Sequence, residues 1–217
     1  MTIPPDNRVA AGPFGQWLAD MRAVLRGEGD ADVPCGDCVG CCISSYPIPL
    51  RPEDARARAE VPEAFLLGRT AHGERWMMGF REDGRCPFMN AGKCDIYAER
   101  PRTCRDYDCR IYAAAGLVPD GNRSVIEQRV RTWQFTFGSD DERRQAEAVR
   151  RAAQFIRANP SLFPAGVRAA SATAAAVLAV KTFALFTAAE PLPPAPELAQ
   201  RMLTMARDFD APSASQP

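Results

Sequence analysis

Cysteine is the residue type in this chain whose spacing points to chemistry. The sequence contains eight cysteines, all between residues 35 and 109. A first group opens with the run CGDCVGCC, and a second closes with CPFMNAGKCDIYAERPRTCRDYDC. Thiolates in fours are ligands for tetrahedral zinc or for an iron-sulfur cluster. The sequence therefore predicts metal binding by Cys35, Cys38, Cys41, Cys42, Cys86, Cys94, Cys104 and Cys109.

The CxxCxxCC spacing leaves the identity of the metal open. Three thiols at two-residue separations on a tight loop are typical of one face of a four-iron cluster, with a remote cysteine as the fourth ligand. We expect Gly36 and Gly40 to take positive φ angles there, so that backbone N–H groups point at sulfur. The pair Cys35 and Cys38 equally has an ordinary zinc-knuckle spacing. Iron-sulfur and Zn(II) both remain expected cofactors.

Two pairs of cysteines favour two metal centres over one. Cys41 and Cys42 are adjacent, and neighbouring side chains in an extended segment point apart. Cys104 and Cys109 are about 140° apart round a helix, so on one unbroken helix they could not face one ion. Either the helix opened by Pro101 ends between them, or they bind separate centres.

Arginines surround the second group of cysteines: Arg100, Arg102, Arg105 and Arg110. A four-thiolate site carries about two negative charges, which guanidinium groups would offset while donating hydrogen bonds to sulfur. The alternative is ordinary ion pairing on a solvated face. The acidic partners for that alternative are Glu99, Asp106 and Asp108.

Composition and the N-terminal residues narrow the class of protein. Lys plus Arg and Asp plus Glu number 27 each, so no global field attracts nucleic acid or an anionic membrane. The first residues, MTIPPDNRVAAGPF, lack an apolar run of signal-peptide length, and we expect a cytoplasmic protein with reduced thiols. Metal binding is then favoured over a disulfide framework and over metal-free redox sensing by Cys41 and Cys42. The single histidine, His72, is expected in a solvated loop, although it could replace one cysteine as a ligand.

Apolar periodicity predicts the elements that position the first cysteines. Phe14, Leu18, Met21 and Leu25 mark an amphipathic helix over residues 13–26. After CGDCVGCC, the run ISSYPIPL predicts at most an edge strand, and residues 52–67 predict short helices broken near Pro62. RWMMGF, EDGR and CPFM together predict a hairpin, and NAGK predicts a further turn before the next cysteine.

Beyond the cysteines, the pattern becomes helical. One face is predicted through Ile126, Val130, Trp133 and Phe137, and another through Ala146, Val149, Ala153 and Ile156. Ser139 and Glu142 form a capping-box signature for the second helix. Residues 164–188 predict a third, almost wholly apolar helix, in which Lys181 argues against a membrane span. A last short helix carries Leu198, Met202, Met205 and Phe209.

These elements predict a mainly α chain with a small irregular cysteine-rich module containing short strands, an α+β fold of low strand content. We expect an N-terminal amphipathic helix in residues 1–30 and a metal-binding cysteine-cluster module in residues 31–115. A C-terminal helical bundle should occupy residues 116–210, and a disordered tail residues 211–217.

The two cysteine groups together resemble the YkgJ-type cysteine-cluster family, known for a CxxCxxCC signature and a later CxIYxxRPxxCR element. The later element is formed here by Cys94, Ile96, Tyr97, Arg100, Pro101, Cys104 and Arg105. The resemblance covers roughly residues 33–112 and implies binding of zinc or iron through the eight matching cysteines. One branch of the family, the flagellin lysine N-methylases, couples a similar cluster to protein methylation.

Two function classes follow from these expectations. In the first, the metal is structural or electron-carrying, and the helical part docks a protein partner. In the second, the chain is a metal-dependent enzyme related to protein N-methylation. The sequence favours the first class, because no constellation of His, Glu or Ser suggests acid-base or nucleophilic work, and no glycine-rich methyl-donor loop is found.

Overall fold

The computed structural model describes residues 8–68, 76–121, 123–167, 171–187 and 191–211. Of these residues, 56% are helical and 11% lie in strands. This confirms the predicted fold class, a mainly α chain with low strand content. His72 and the predicted tail after Ala211 lie outside the described residues.

The described helices and strands divide into two compact units. The helices are α1 (Phe14–Leu25), α2 (Ala55–Glu60), α3 (Arg102–Arg105), α4 (Arg110–Ala115), α5 (Ser124–Thr132), α6 (Asp140–Ala158), α7 (Ala172–Thr182) and α8 (Ala195–Asp210). The strands are β1 (Val9–Pro13), β2 (Ile48–Leu50), β3 (Leu66–Leu67), β4 (Trp76–Met78), β5 (Met89–Asn90), β6 (Lys93–Cys94) and β7 (Trp133–Thr136). The helical unit comprises Met1–Gly29, Cys109–Arg123 and Val130–Pro217, and the cysteine unit comprises Asp30–Asp108 and Ser124–Arg129.

In the helical unit, α1 confirms the amphipathic helix expected over residues 13–26. Its apolar stripe is buried through Phe14, Leu18 and Met21. Gly27 takes a positive φ of 81° just after the helix, a conformation that favours glycine at a helix end. Strand β1 precedes α1 and pairs in parallel with β7.

Strand β7 replaces the end of a helix predicted from the sequence. The expected helical face ran from Ile126 through Val130 to Trp133 and Phe137, but α5 ends at Thr132 and the chain becomes extended. Three of the four residues of β7 are aromatic or β-branched, types that favour strands, and pairing with β1 satisfies their backbone. The helical prediction is therefore wrong beyond α5.

Helix α6 carries the predicted core face of the helical unit. Ser139 is its N-cap, and the serine hydroxyl accepts a hydrogen bond from the Glu142 N–H at 3.2 Å. Helix α6 packs against α7 and α4. The predicted core residues of α6 are all buried: Ala146, Val149, Ala153 and Ile156.

Helix α7 is shorter than the single apolar helix predicted over residues 164–188. It begins at Ala172 because Ser171 caps it and the Asp120 carboxylate accepts from the Ala172 N–H. No helix among the described residues is long and apolar enough to cross a membrane. Helix α8 confirms the last predicted helix, with two of its four expected apolar residues fully buried: Leu198 and Met202.

The cysteine unit contains an antiparallel three-stranded sheet in the order β2-β4-β3, with β2 at an edge as predicted. The predicted hairpin between RWMMGF and CPFM is wrong. Strand β4 pairs with β2 on one side and β3 on the other, so CPFM has no place beside it. The fully buried apolar cluster of this sheet is small and consists of Leu50, Val61 and Met78.

Asp54 joins two segments of the cysteine unit. It is 4% exposed. Its carboxylate accepts from the backbone N–H of Arg51 at 2.7 Å and from that of Arg102 at 2.6 Å. The second bond satisfies an N–H at the start of α3 that has no partner within the helix. Because α3 carries Cys104, Asp54 helps to fix the place of that thiol.

We predict that Asp54→Asn destabilises the metal-free protein by about 1–3 kcal/mol. The amide offers one acceptor oxygen in place of two, so one of the two buried N–H groups loses its partner. Urea unfolding followed by circular dichroism measures the change. The matched control is the exposed neighbour Glu53→Gln, which should stay within about 0.5 kcal/mol of the wild type. Equal stability of the two variants would contradict this role for Asp54.

Candidate metal centre

Cys41 and Cys42 lie in the 3-10 helix Gly40–Ile43 and bring their sulfurs together. Their Sγ atoms are 3.9 Å apart. The expectation of an extended segment with diverging side chains is therefore wrong, because a helical turn places neighbouring side chains closer than a strand does. Cys41 is also exposed, whereas six of the other cysteines are half-buried and Cys109 is buried.

The two glycines of the first cysteine run behave differently. Gly36 has a φ of 55°, as predicted, whereas Gly40 is not among the positive-φ residues. Gly40 is buried, and a Cβ there would lie 3.3 Å from the Val125 side chain and 3.4 Å from that of Ile126. Its role is close packing of the Cys41 turn against the first residues of α5.

Two backbone hydrogen bonds bring the Cys86 segment to the Cys42 segment. The Cys86 N–H donates to the Cys42 carbonyl at 2.7 Å, and the Ser45 N–H donates to the Gly84 carbonyl at 3.1 Å. Gly84 has a φ of 81°, and a Cβ there would lie 2.5 Å from the Ser45 hydroxyl. Glycine is required at this crossing by both its φ and its packing.

Strands β5 and β6 form the hairpin that delivers Cys94. Met89 pairs with Cys94, and the predicted NAGK turn joins the strands with positive φ angles at Ala91 and Gly92. The backbone N–H of Phe88 donates to the Cys86 thiol, and that of Ile96 donates to the Cys94 thiol. Each of these cysteines thus accepts from the N–H two residues ahead, a bond that favours the ionised sulfur.

Cys104 lies on α3, and that helix ends before Cys109 is reached. The α3 helix closes at Arg105 and α4 begins at Arg110, which is one of the two arrangements expected from the five-residue spacing. Burial, followed by the charges of neighbouring cysteines, raises the pKa of Cys104 to about 12.

Five thiols form one set because their charges act on one another: Cys41, Cys42, Cys86, Cys94 and Cys104. Burial is the largest cause of the raised pKa of Cys86 and of Cys94, and neighbouring thiols add to it. Crowded thiols keep their protons at neutral pH, since each new negative charge repels the next. A bound cation would remove that repulsion and displace the protons.

Cys41 ionises most readily in this set. A hydrogen bond from the Cys42 thiol, helped by backbone N–H groups and by the charge of Arg100, lowers the pKa of Cys41 to about 7. The same bond, in which the Cys42 thiol is the donor, raises the pKa of Cys42, and burial and the charge of Cys41 raise it further. The adjacent pair therefore gives up one proton near neutral pH and holds the other.

Cys35 and Cys38 form a second, smaller set that meets the first at Cys41. The Cys38 N–H donates to the Cys35 carbonyl at 3.0 Å, and Arg129 donates to the same carbonyl at 3.3 Å. Burial and the charges of Cys41 and Cys38 raise the pKa of Cys35 to about 11. Cys41 thus influences both sets of thiols.

Most of the arginines near the distal cysteines have ordinary partners. Arg102 pairs with Asp106 at 2.5 Å, and Arg105 lies 3.7 Å from Asp30. Arg110 belongs to the helical unit, where it donates to the Ala11 carbonyl at 3.0 Å. Arg102 and Arg105 thus form ion pairs, as the alternative expected, although only Asp106 is among the expected partners. Arg110 is buried, so the expected solvated face does not apply to it.

Arg100 differs from the other three. In the described residues it makes no ion pair with a carboxylate, and its guanidinium lies 4.0 Å from the centre of the Tyr97 ring. Its Nε–H is buried and has no hydrogen-bond acceptor among the residues that the structure describes. The charge of Arg100 lowers the pKa of three thiols: Cys41, Cys94 and Cys104.

Cys109 belongs to the helical unit, whereas the other seven cysteines belong to the cysteine unit. It is 8% exposed, and its sulfur accepts from the indole Nε1–H of Trp133 at 3.2 Å. Its predicted role as a metal ligand stays a prediction.

Sequence reasoning missed several residues that position or neutralise these thiols. Asp54 fixes α3, Arg129 holds the Cys35 carbonyl, and Arg81 lowers the pKa of Cys86 by its charge. Arg81 also donates to the Pro87 carbonyl at 2.5 Å. Only Asp54 carried a signal, since an aspartate at the start of a helical stretch is a common cap.

The donor set fits a thiophilic metal. None of the eight cysteines, all within the described residues, is in a disulfide. Two sulfurs bound to one tetrahedral zinc lie about 3.8 Å apart, given Zn–S bonds of about 2.3 Å. The observed separation of 3.9 Å between Cys41 and Cys42 is close to that value. The backbone N–H bonds to sulfur and the partnerless Nε–H of Arg100 would favour thiolates over thiols.

Comparison with known families matches residues 34–130 to the CxxCxxCC family, whose description reads "Putative zinc- or iron-chelating domain". This is the family expected from the cysteine motifs. No curated protein and no solved structure matches the chain. The comparisons therefore support zinc or iron binding and give no support to the alternative expectation of a protein N-methylase.

We predict that Zn(II) binding at pH 7 releases about three protons per ion, because the raised pKa values keep most of these thiols protonated until metal displaces the protons. The apparent affinity should accordingly rise with pH. Calorimetry in two buffers of different ionisation enthalpy measures the proton count. Ca(II), which prefers oxygen ligands, is the control and should release none. Fewer than one proton per zinc would contradict the crowded-thiol description.

Proposed function

We propose that this chain, whose residues 34–130 match the CxxCxxCC domain, holds zinc or iron in thiolate centres whose role is structural or electron-carrying. The observation that carries the proposal is the gathering of five thiols from three separate segments into one mutually interacting set. Ligand side chains drawn together from separate segments are what a thiophilic metal requires, and a cation would displace the protons that the raised pKa values retain.

A structural role is supported by the small core of the cysteine unit. Among its described residues, Leu50, Val61 and Met78 form a fully buried apolar cluster, against which partly buried side chains such as Phe65 and Trp76 pack. Small modules commonly add a metal or disulfides to such a core. Thiolates from the Cys41 turn, the β5-β6 hairpin and α3 would let one ion join these segments. A site closed by four thiolates leaves no open position for a substrate.

Binding requires the sulfurs to draw together. Across the described residues, no three Cys, His, Asp or Glu side chains already form a metal-binding group. None of the seven cysteines in the cysteine unit is fully buried, and binding would turn their side chains toward a shared ion. The guanidinium groups of Arg81, Arg100 and Arg129 supply positive charge beside the thiols, which would offset the net charge of the centres.

Two centres are proposed, with Cys41 next to both. The first draws on the five-thiol set that includes Cys104, and the second draws on Cys35 and Cys38. The support for this division comes from the neighbours that raise each pKa. The charges of Cys41 and Cys38 raise the pKa of Cys35, whereas those of Cys41, Cys86 and Cys94 raise the pKa of Cys104. Docking of a protein partner by the helical unit also remains a proposal.

The first test is anaerobic purification followed by metal analysis and an absorption spectrum. Zinc gives a colourless protein with stoichiometric metal, and its exchange for Co(II) gives intense sulfur-to-cobalt absorption. An iron-sulfur cluster gives broad visible absorption with matching iron and sulfide. Absence of both metals at stoichiometric level, before and after reconstitution, would overturn the proposal.

We predict that single serine variants separate the two centres. Cys104→Ser should lose the first centre and keep the second, and Cys38→Ser should do the reverse, so each retains about half of the bound metal. Cys41→Ser should lower both. Thr103→Ser, next to Cys104 on α3, is the matched control and should retain all metal. Complete loss of metal in both Cys104→Ser and Cys38→Ser would show one centre in place of two.

A further inference from the structure

Arg100 combines a buried donor that lacks an acceptor with a charge that acts on several thiols. Within the described part of the chain its Nε–H finds no acceptor, although most buried polar side-chain groups in folded proteins have one. The charge of Arg100 acts on three thiols, those of Cys41, Cys94 and Cys104. A buried donor among thiols has its natural acceptor in a thiolate sulfur.

We propose that the Nε–H of Arg100 donates to a sulfur of the first metal centre and thereby positions that ligand and stabilises its charge. The inference rests on the proposed metal binding and names the residue that tunes it. A metal-bound thiolate carries more negative charge than a thiol, so it is the stronger acceptor for this donor. Arg100 is a positioning residue, since it acts on the metal through sulfur.

Tyr97 holds Arg100 in place for this role. The guanidinium lies 4.0 Å from the ring centre of Tyr97, and the tyrosine is 67% exposed. An aromatic side chain so exposed has no packing role of its own, but its face supports the flat guanidinium and restricts its rotation. Tyr97 opens the 3-10 helix Tyr97–Glu99, which sets the two side chains on the same side of the turn.

Arg105 and Arg56 do not combine the features of Arg100, which are a buried donor without an acceptor, no carboxylate partner in the described residues and a charge that acts on thiols. The Nε–H of Arg105 is also buried without an acceptor, but its guanidinium lies 3.7 Å from Asp30, and its charge is not among the main influences on any thiol. Arg56 pairs with Glu99 at 2.7 Å and its side chain is 81% exposed. Arg56 is therefore a matched control, because it lies on the same surface and has a carboxylate partner.

The test compares Arg100→Met, Arg100→Lys and Arg56→Met with the wild type. Zinc affinity is measured by competition with a chelator, and the sulfur-to-cobalt absorption of the Co(II)-loaded protein is recorded. We expect Arg100→Met to bind zinc about 10–100-fold more weakly and to shift the cobalt absorption. Arg100→Lys should recover part of the affinity through its charge, and Arg56→Met should match the wild type. Tyr97→Leu should weaken binding less than Arg100→Met, and Tyr97→Phe should retain wild-type binding.

The outcomes distinguish this inference from the proposed function. Wild-type affinity and an unshifted cobalt spectrum in Arg100→Met would overturn the role of Arg100 while leaving metal binding intact. A wild type that binds neither zinc nor cobalt, and that holds no iron before or after reconstitution, would overturn the proposed function itself. Circular dichroism of the metal-free variants separates misfolding from a binding defect. If Arg100→Met fails to fold, Arg100→Lys and Tyr97→Leu carry the test, and unchanged spectra in both would overturn the role.

Discussion

The central constraint on the cysteine unit is that its thiols lie close together and would repel one another if several of them ionised. Cys104 and Cys35 have raised pKa values of about 12 and about 11, because burial and neighbouring sulfurs both disfavour a second negative charge. Protons satisfy this constraint in the metal-free chain. A cation would satisfy it better, since one ion offsets several thiolates and joins the segments that carry them.

The backbone of the unit creates that crowding with few interactions. Asp54 fixes the start of α3, and the Cys86 N–H bonded to the Cys42 carbonyl joins two loops at 2.7 Å. The β5-β6 hairpin then returns Cys94 toward Cys86. These are local hydrogen bonds beside an apolar cluster of Leu50, Val61 and Met78. The protonated thiols gain little from their proximity, whereas a bound cation would join the segments that carry them, which is the physical reason to expect metal as part of the fold.

Much of the architecture could be predicted from local patterns, because amphipathic stripes and helix caps such as Ser139 are recognisable from residues that lie close together in the sequence. The errors were in long-range pairing. The spacing of apolar residues predicted a helix through Trp133, but this residue lies in β7 and pairs with β1, which is distant in sequence. RWMMGF looked like half of a hairpin, but β4 is the central strand of a sheet. No residue close by in the sequence indicates which distant strand will pair with these segments.

The candidate site shows the same division between local and long-range information. Residue type and spacing were enough to identify the cysteines as candidate ligands. They could not show that Cys41 and Cys42 occupy a helical turn with sulfurs 3.9 Å apart, nor that Arg100 makes no ion pair with a carboxylate in the described residues and lies over the Tyr97 ring. Both facts depend on which side chains from remote segments come together. The charge balance of the site therefore had to come from the structure.

The most direct test of metal binding by these thiols is alkylation of the native protein, with each cysteine quantified by mass spectrometry before and after treatment with a strong chelator. Metal-bound thiolates react slowly. We expect at least four cysteines of the cysteine unit, Cys104 among them, to be protected as isolated and to react rapidly once metal is removed. Equal reactivity of these cysteines with and without chelator would contradict the account.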